Sequence, residues 1–155
     1  MSPWNQGRQQ VQSLIDSGHV EKVKFNDSYA PDLIQQARRH LDSAAQAANS
    51  DPVGAYVLVY DAARKAVTAF LATQNLRSTT KGGHIALYDV AKAQLDPPMG
   101  KTLTSFDRMR YQRNVMEYRS FDMPELTVDD VMSDHEKAAE IIDMVERLLD
   151  QMPVF

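Results

Sequence analysis

DPVGAYVLVYDAARKAVTAFLATQ, residues Asp51–Gln74, is the stretch that decides the fold, because its apolar side chains recur every three or four positions. That spacing places them on one face of an α-helix. Asp51 is a preferred N-cap residue and Pro52 suits the first helical position, so the start of the helix is defined. We predict a long central helix whose buried face is formed by Tyr56, Tyr60, Ala63, Val67, Phe70 and Leu71.

The segment before it, Pro31 to Ala48, has the same spacing and is rich in alanine. Small side chains let neighbouring helices approach closely, so this helix can pack tightly against the central one. Only Asn49 and Ser50 lie between the two segments. So short a connection predicts an antiparallel helix hairpin.

Downstream, Gly82-Gly83 interrupts the chain before a helix predicted from His84 to Leu95. The run Asp96-Pro97-Pro98-Met99-Gly100 ends that helix, since proline cannot continue it. In the glutamine-rich start of the chain we predict only a short helix, near Gln9–Asp16.

Two capping-box spacings mark the remaining helices. Thr104 with Asp107 predicts a helix from Ser105 to about Tyr118. Thr127 with Asp130 predicts the start of the last helix. That helix has a heptad-like stripe formed by Val128, Val131, His135, Ala138, Ile142, Val145 and Leu149.

The predicted fold class is therefore all-α: an up-and-down antiparallel helical bundle of about five helices. No segment alternates apolar and polar residues strictly enough to predict a strand. A chain of 155 residues suits one domain with a hydrophobic core. We assign 1–25 to an N-terminal segment, partly helical, and 26–155 to the helical bundle domain.

Composition excludes several classes of protein and site. Without cysteine there is no disulfide, thiolate metal site or cysteine nucleophile. We find no secretory leader and no run of about 18 apolar residues, so we expect a cytoplasmic protein with no membrane partner. The four histidines form no His-Glu-x-x-His or Glu-x-x-His pattern, and no glycine-rich nucleotide loop occurs. We predict neither a metal site nor a cofactor.

Charge is unevenly distributed along the chain. The net charge is −4, but residues 121–150 contain ten acids and two bases. Four arginines, Arg108, Arg110, Arg113 and Arg119, lie within twelve residues. Either the acidic and basic segments neutralise each other across the bundle, or the arginines form an anion-binding surface.

The segment 108–118, RMRYQRNVMEY, can also be interpreted either as a charge-neutralised helix or as an anion-binding site. On a helix, Arg110, Asn114 and Glu117 would share one face, and Arg113 and Glu117 are four apart. The plain interpretation is an Arg113–Glu117 ion pair on a solvated helix. The alternative is a polar cleft whose arginines hold a phosphate.

The chain resembles the HEPN domain family from about Pro31 to Leu149. The resemblance rests on the alanine-rich hairpin with the Tyr60–Ala66 stretch YDAARKA, the Gly82-Gly83-His84 helix start, the Arg113-Asn114 step and the long final helix. It implies a helical bundle that commonly dimerises. Many members are metal-independent ribonucleases of toxin–antitoxin, abortive-infection or CRISPR systems.

The family motif is an arginine, often followed directly by asparagine, and a histidine that is separated from the arginine by four to six residues. The resemblance therefore assigns Arg113 as the residue that binds the scissile phosphate and Asn114 as its usual companion. Tyr118 stands where the histidine is expected, and Ser120 where some members have a tyrosine that a nucleotidyltransferase modifies. A phenol is a poor base at pH 7, so Tyr118 is assigned hydrogen-bond donation.

Arg110 and Glu117 are predicted to support this site. A base could come from Glu117, which pairing with an arginine would weaken. It could also come from His84 or His135 on another helix, although His135 lies on an apolar stripe and is more simply explained as a histidine at the edge of the core.

Three hypotheses follow. The first is a HEPN-like component of a toxin–antitoxin or defence module that binds RNA or cleaves it without metal through Arg-Asn-x3-Tyr. The second is a non-catalytic HEPN protein that dimerises and binds a cognate toxin, antitoxin, nucleotidyltransferase or regulator. The third is a purely structural bundle in which the arginines pair with the acidic last helix. A homodimer is expected in the first two.

Overall fold

The structure is a computed structural model and describes residues 1–118 and 123–155. Its elements, in chain order, are α1 (Arg8–Asp16), β1 (Val20–Lys22), α2 (Tyr29–Ala47), α3 (Pro52–Ala72), β2 (Leu76–Ser78), α4 (Gly83–Leu95), α5 (Gly100–Glu117) and α6 (Val128–Leu148). A predominantly helical fold is confirmed. The described residues form six helices rather than about five.

The predicted hairpin of α2 and α3 is confirmed. The Asp51 side chain accepts a hydrogen bond from the Gly54 N–H at 3.0 Å, and Pro52 is the first residue of α3. The Lys65 ammonium contacts both Gln36 and His40 of α2, so the hairpin partners meet near the middle of both helices. The apolar face of α3 is buried among the other helices and forms the centre of the core.

The described residues also contain two short strands, which the sequence did not predict. β1 and β2 form a two-stranded antiparallel sheet in which Val20 pairs with Ser78. Each strand has only three residues, which is too short for an alternating pattern to be recognised in the sequence. Val20 and Leu76 are buried, so the pair ties the N-terminal segment to the core.

The relative direction of α3 and α4 differs from that in an up-and-down bundle, where consecutive helices run antiparallel. Tyr60 of α3 contacts His84 near the start of α4, whereas Gln74, just after α3, bonds to Gln94 near the end of α4. Because the contacts follow the same order along both helices, α3 and α4 run in the same direction. The segment containing β2 returns the chain along α3 and makes this possible.

The start predicted for α5 is wrong, and the start predicted for α6 is confirmed. α5 begins at Gly100, and the Thr104 hydroxyl donates to the Gly100 carbonyl inside the helix instead of capping it. Thr127 and Asp130 form the predicted capping box of α6.

α1 is confirmed near its predicted position, and it packs against α4. The domain boundary at residue 26 stays a prediction. None of the helices in the described residues combines the length and apolar character that crossing a membrane requires.

Candidate functional site

Arg113 lies over the ring of a buried tyrosine. Its guanidinium carbon is 5.8 Å from the centre of the Tyr60 ring, within range of a cation–π interaction. Its Nη2 pairs with Glu117 Oε1 at 3.1 Å, which is the ion pair that helical spacing predicts. Only 26% of the side chain is exposed. Nε is buried and has no hydrogen-bond partner among the described residues.

Tyr60 connects this arginine to a histidine of another helix. The Tyr60 hydroxyl and His84 Nδ1 are 2.8 Å apart, and the two ring centres are 5.7 Å apart. Tyr60 also stacks on Phe106 of α5, with the two ring centres 5.9 Å apart. Burial raises the pKa of Tyr60 to about 12, so the phenol keeps its proton at pH 7 and serves as a fixed platform.

Two glycines explain how α4 places His84 there. A β-carbon on Gly82 would lie 2.0 Å from the His19 carbonyl oxygen, so only glycine fits this close approach. Gly83 has φ +59°, a left-handed conformation that glycine adopts without strain. The Gly-Gly-His order therefore lets α4 start against β1 and directs its histidine towards Tyr60.

His84 is kept neutral. Partial burial lowers its pKa below the ordinary 6.5, and the positive charges of Arg64 and Arg113 lower it further. Nδ1 is engaged by Tyr60, while Nε2 has no hydrogen-bond partner within residues 1–118 and 123–155. A neutral imidazole with one free ring nitrogen can take part in proton transfer near pH 7.

We use the name Tyr60 cluster for Tyr60, Arg64, His84 and Arg113. The sequence predicted Arg113 as a site residue and offered His84 as one possible source of a base from another helix, but it did not predict Tyr60 or Arg64. Tyr60 and Arg64 are four positions apart in the predicted helix, so the sequence does indicate that they share a helix face. What the sequence did not show was that α4 and α5 would converge on that face.

Of the other predicted site residues, Arg110 is near enough to the cluster for its charge to lower the pKa of both Tyr60 and His84. No contact among the described residues joins Asn114 or Tyr118 to the cluster. Arg110 pairs with Asp107 at 2.9 Å on its own helix, and Asn114 is exposed. Tyr118 is 83% exposed at the end of α5, and no hydrogen bond joins it to another described residue. Arg119, predicted in the arginine-rich segment, and Ser120, at the position of the family's optional tyrosine, lie outside the described residues.

Arg108 and His135 lie outside the Tyr60 cluster. Arg108 bonds to Asp134 of α6 through both terminal nitrogens, and Asp134 also accepts from the Tyr56 hydroxyl at 2.6 Å. Among the described arginines of the cluster predicted on α5, Arg108 alone pairs with the acidic last helix. His135 Nε2 lies 2.9 Å from the Leu41 carbonyl oxygen, which confirms a histidine at the edge of the core.

The fold and the Tyr60 cluster together define the class of protein: a helical domain in which arginines and a neutral histidine surround one tyrosine. The model of the HEPN domain family matches residues 30–152, most of the chain. The chain therefore belongs to the HEPN domain family. No curated protein and no solved structure matches it.

Proposed function

We propose that this HEPN protein acts on RNA as a component of a toxin–antitoxin or defence module. The observation that supports the proposal best is that Arg113 and His84 both lie against the Tyr60 ring. The Arg113 guanidinium carbon is 5.8 Å from the centre of that ring, and the centre of the His84 ring is 5.7 Å from it. An anion-binding group and a proton-transfer group therefore lie on one platform. Asn114, Arg110, Glu117 and Tyr118 of α5 complete the proposed RNA-binding surface.

In the proposed reaction, Arg113 exchanges Glu117 for an RNA phosphate and binds it through its terminal nitrogens. His84 takes part in the tautomer whose Nδ1–H donates to the Tyr60 hydroxyl oxygen, so that its unprotonated Nε2 accepts the proton of the adjacent ribose 2′-hydroxyl. The 2′-oxygen then attacks phosphorus. The bond from phosphorus to the 5′-oxygen breaks, which leaves a 2′,3′-cyclic phosphate. The departing oxygen takes up a proton, for which the Tyr118 hydroxyl is a suitable donor. No metal ion takes part in these steps.

In this proposal His84 supplies the imidazole that the family motif would place at Tyr118. The lowered pKa of His84 suits it to act as a base, because more of the neutral form is present at pH 7. Tyr118 would keep a binding role. As in other HEPN proteins, we expect the chain to form a homodimer, in which the exposed Tyr118 of each α5 is available to a partner or to RNA.

A second candidate function has its own support. Glu117 neutralises Arg113, and the phenol of Tyr118 extends away from any described partner. Both features suit a non-catalytic HEPN protein that binds a cognate toxin, antitoxin or nucleotidyltransferase. In that case the exposed end of α5 would be a protein-binding surface.

The deciding experiment is the growth of a bacterial host after induction of the protein, of Arg113→Ala and of His84→Gln. Arg39→Ala is the matched control, since Arg39 is an exposed arginine on α2. We expect growth arrest with the unaltered protein and with Arg39→Ala, and relief with the other two variants. Normal growth with all four would favour the non-catalytic partner.

A second measurement tests the chemistry directly. Purified protein is incubated with RNA in the presence of a chelator, and the cleaved ends are identified by mass spectrometry. We expect ends bearing a 2′,3′-cyclic phosphate and loss of cleavage in His84→Gln. Cleavage that persists in Arg113→Ala would exclude the assigned role of Arg113.

A further inference from the structure

We propose that a cavity between α1 and α4 binds a linear polyamine, a flexible chain that carries two or more ammonium groups. The cavity has a volume of about 730 Å³, within the roughly 300–1,000 Å³ that small-molecule pockets span. The described residues that line it belong to α1, to the segment directly after α1 and to the end of α4, and none of them is in the Tyr60 cluster. The inference goes beyond the proposed function, because binding here needs no part of the proposed ribonuclease site.

One wall of the cavity lies outside the matched family domain. The lining residues of that wall all come before residue 30, where the match to the HEPN model begins. They are Gln10, Ser13, Leu14, Ser17 and His19. The opposite wall is formed by Asp89, Lys92 and Ala93 of α4 and by Asp96 directly after it. The cavity is therefore a groove between two helix faces that exists only where the N-terminal segment packs on the domain.

Contacts at both ends of α1 fix the groove before any ligand enters. Ahead of α1, Trp4 Nε1 donates to the Gln94 carbonyl of α4 at 3.0 Å. After α1, Lys81 Nζ donates to the Ser17 carbonyl at 2.7 Å, close to the start of α4. Walls that are already in place reduce the ordering cost of binding, so the groove is suited to a small, flexible ligand.

Asp89 is the group in the groove that most needs a cation. Its carboxylate is partly buried and has no hydrogen bond or ion pair with any described residue. Burial and the nearby carboxylate of Asp107 raise the pKa of Asp89, and they outweigh the opposite effects of Lys92 and Arg110. The charged carboxylate is therefore poorly stabilised by the protein alone. An ammonium group in the groove would supply the missing partner through a charge-assisted hydrogen bond.

Asp96 supplies a second carboxylate at one end of the groove. It is exposed and forms no ion pair with a described residue. Seven positions along a helix correspond to a rise of about 10 Å, so Asp89 and Asp96 are too far apart for one ammonium group to contact both. The terminal ammonium groups of an extended spermidine are separated by a comparable distance. The spacing therefore favours a polyamine over a monoamine.

The surface between the two carboxylates suits the rest of such a chain. Leu14 and Ala93 provide apolar contacts for methylene groups. The side chains of Gln10 and Ser13 are exposed and make no hydrogen bond with a described residue. Their oxygen atoms can accept hydrogen bonds from a central ammonium group.

Lys92 opposes a cationic ligand and gives the test a sign. Its ammonium lies 5.8 Å from the centre of the Tyr88 ring, and Tyr88 is not among the described residues that line the cavity. The lysine charge is thus partly stabilised outside the groove. Removal of this charge should strengthen the binding of a cation, whereas it would weaken the binding of an anion.

The test is isothermal titration calorimetry of the full chain with spermidine and with butylamine, which has a single ammonium group. We expect spermidine to bind at least about tenfold more tightly, because it can pair with both carboxylates. Asp89→Asn should weaken spermidine binding about tenfold, and the more exposed Asp96→Asn about threefold. Lys92→Gln should tighten it about threefold.

Asp42→Asn is the matched control. Asp42 is an exposed aspartate on α2 that does not line the cavity, so this variant removes the same charge and should leave binding unchanged. Equal losses in Asp42→Asn and Asp89→Asn would overturn the proposal, because they would show that spermidine follows net charge alone. Weaker binding in Lys92→Gln, or equal affinities for spermidine and butylamine, would overturn it as well.

A measurement on the unaltered protein keeps the proposal testable if a variant fails to fold. Titration with spermidine should shift the backbone amide resonances of Ser13 and Ala93 in NMR spectra. Shifts confined to the acidic helix α6 would contradict the assigned site. Because these measurements involve neither RNA nor toxicity, failure of the proposed ribonuclease activity would be distinguishable from failure of this site.

Discussion

Substitution of Asp134 tests the buried polar contact that fixes α5 against α3 and α6. The carboxylate side chain is only 8% exposed and accepts from the Tyr56 hydroxyl at 2.6 Å and from both terminal nitrogens of Arg108. Tyr56 is fully buried, whereas 51% of the Arg108 side chain is exposed. Removal of the carboxylate therefore leaves Tyr56 without access to water, whereas Arg108 can still be hydrated.

In Asp134→Ala, the Tyr56 hydroxyl is left buried without an acceptor, which costs about 1–3 kcal/mol. Arg108 regains water, so loss of its ion pair adds only about 1 kcal/mol, as for partly exposed pairs. We expect the free energy of unfolding to fall by about 2–4 kcal/mol in total. In Asp134→Asn the amide oxygen still accepts from Tyr56, and the expected loss is about 1 kcal/mol.

The assay is urea unfolding followed by circular dichroism at pH 7, with Asp129→Ala as the control because Asp129 is exposed in the first turn of α6. The order of stability should be unaltered protein, then Asp134→Asn, then Asp134→Ala. Equal losses in the two Asp134 variants would refute the reasoning, because they would show that the Tyr56 hydroxyl does not need this acceptor.

Three further predictions concern single contacts. His84 should titrate below its ordinary pKa of 6.5 in an NMR titration of its ring protons. The unfolded chain would then bind a proton more readily than the native one, so His84 lowers stability as the pH falls below 6.5, and a pKa at or above 6.5 would contradict this. Tyr60→Phe removes the 2.8 Å contact with His84 Nδ1 and should cost about 1 kcal/mol in urea unfolding. It should also weaken any RNA cleavage, and unchanged cleavage would show that His84 does not need this contact. Gln94→Ala leaves the buried Gln74 amide without its reciprocal partner and should lower the free energy of unfolding by about 1–3 kcal/mol. A loss below about 0.5 kcal/mol, typical of exposed positions, would mean that water replaces the amide.

Helix positions were predictable because their determinants are local. The N-cap of α3 at Asp51 and the capping box at Thr127 and Asp130 lie within a few residues of the backbone groups they satisfy. The same box spacing at Thr104 failed, because α5 had already begun at Gly100 and the hydroxyl bonds within the helix. A local pattern does not reveal whether an earlier turn is already helical.

The sequence by itself determined the helical class, the α2–α3 hairpin, the HEPN family and the position of Arg113 on α5. Each depends on spacing or motif within a short stretch of chain. The composition of the Tyr60 cluster was decided by the tertiary structure. Tyr60 and His84 are 24 positions apart, and they meet because β2 pairs with β1 and returns the chain along α3. Strands of three residues leave almost no periodic pattern, so the path that brings a histidine beside Arg113 exists only in the folded chain.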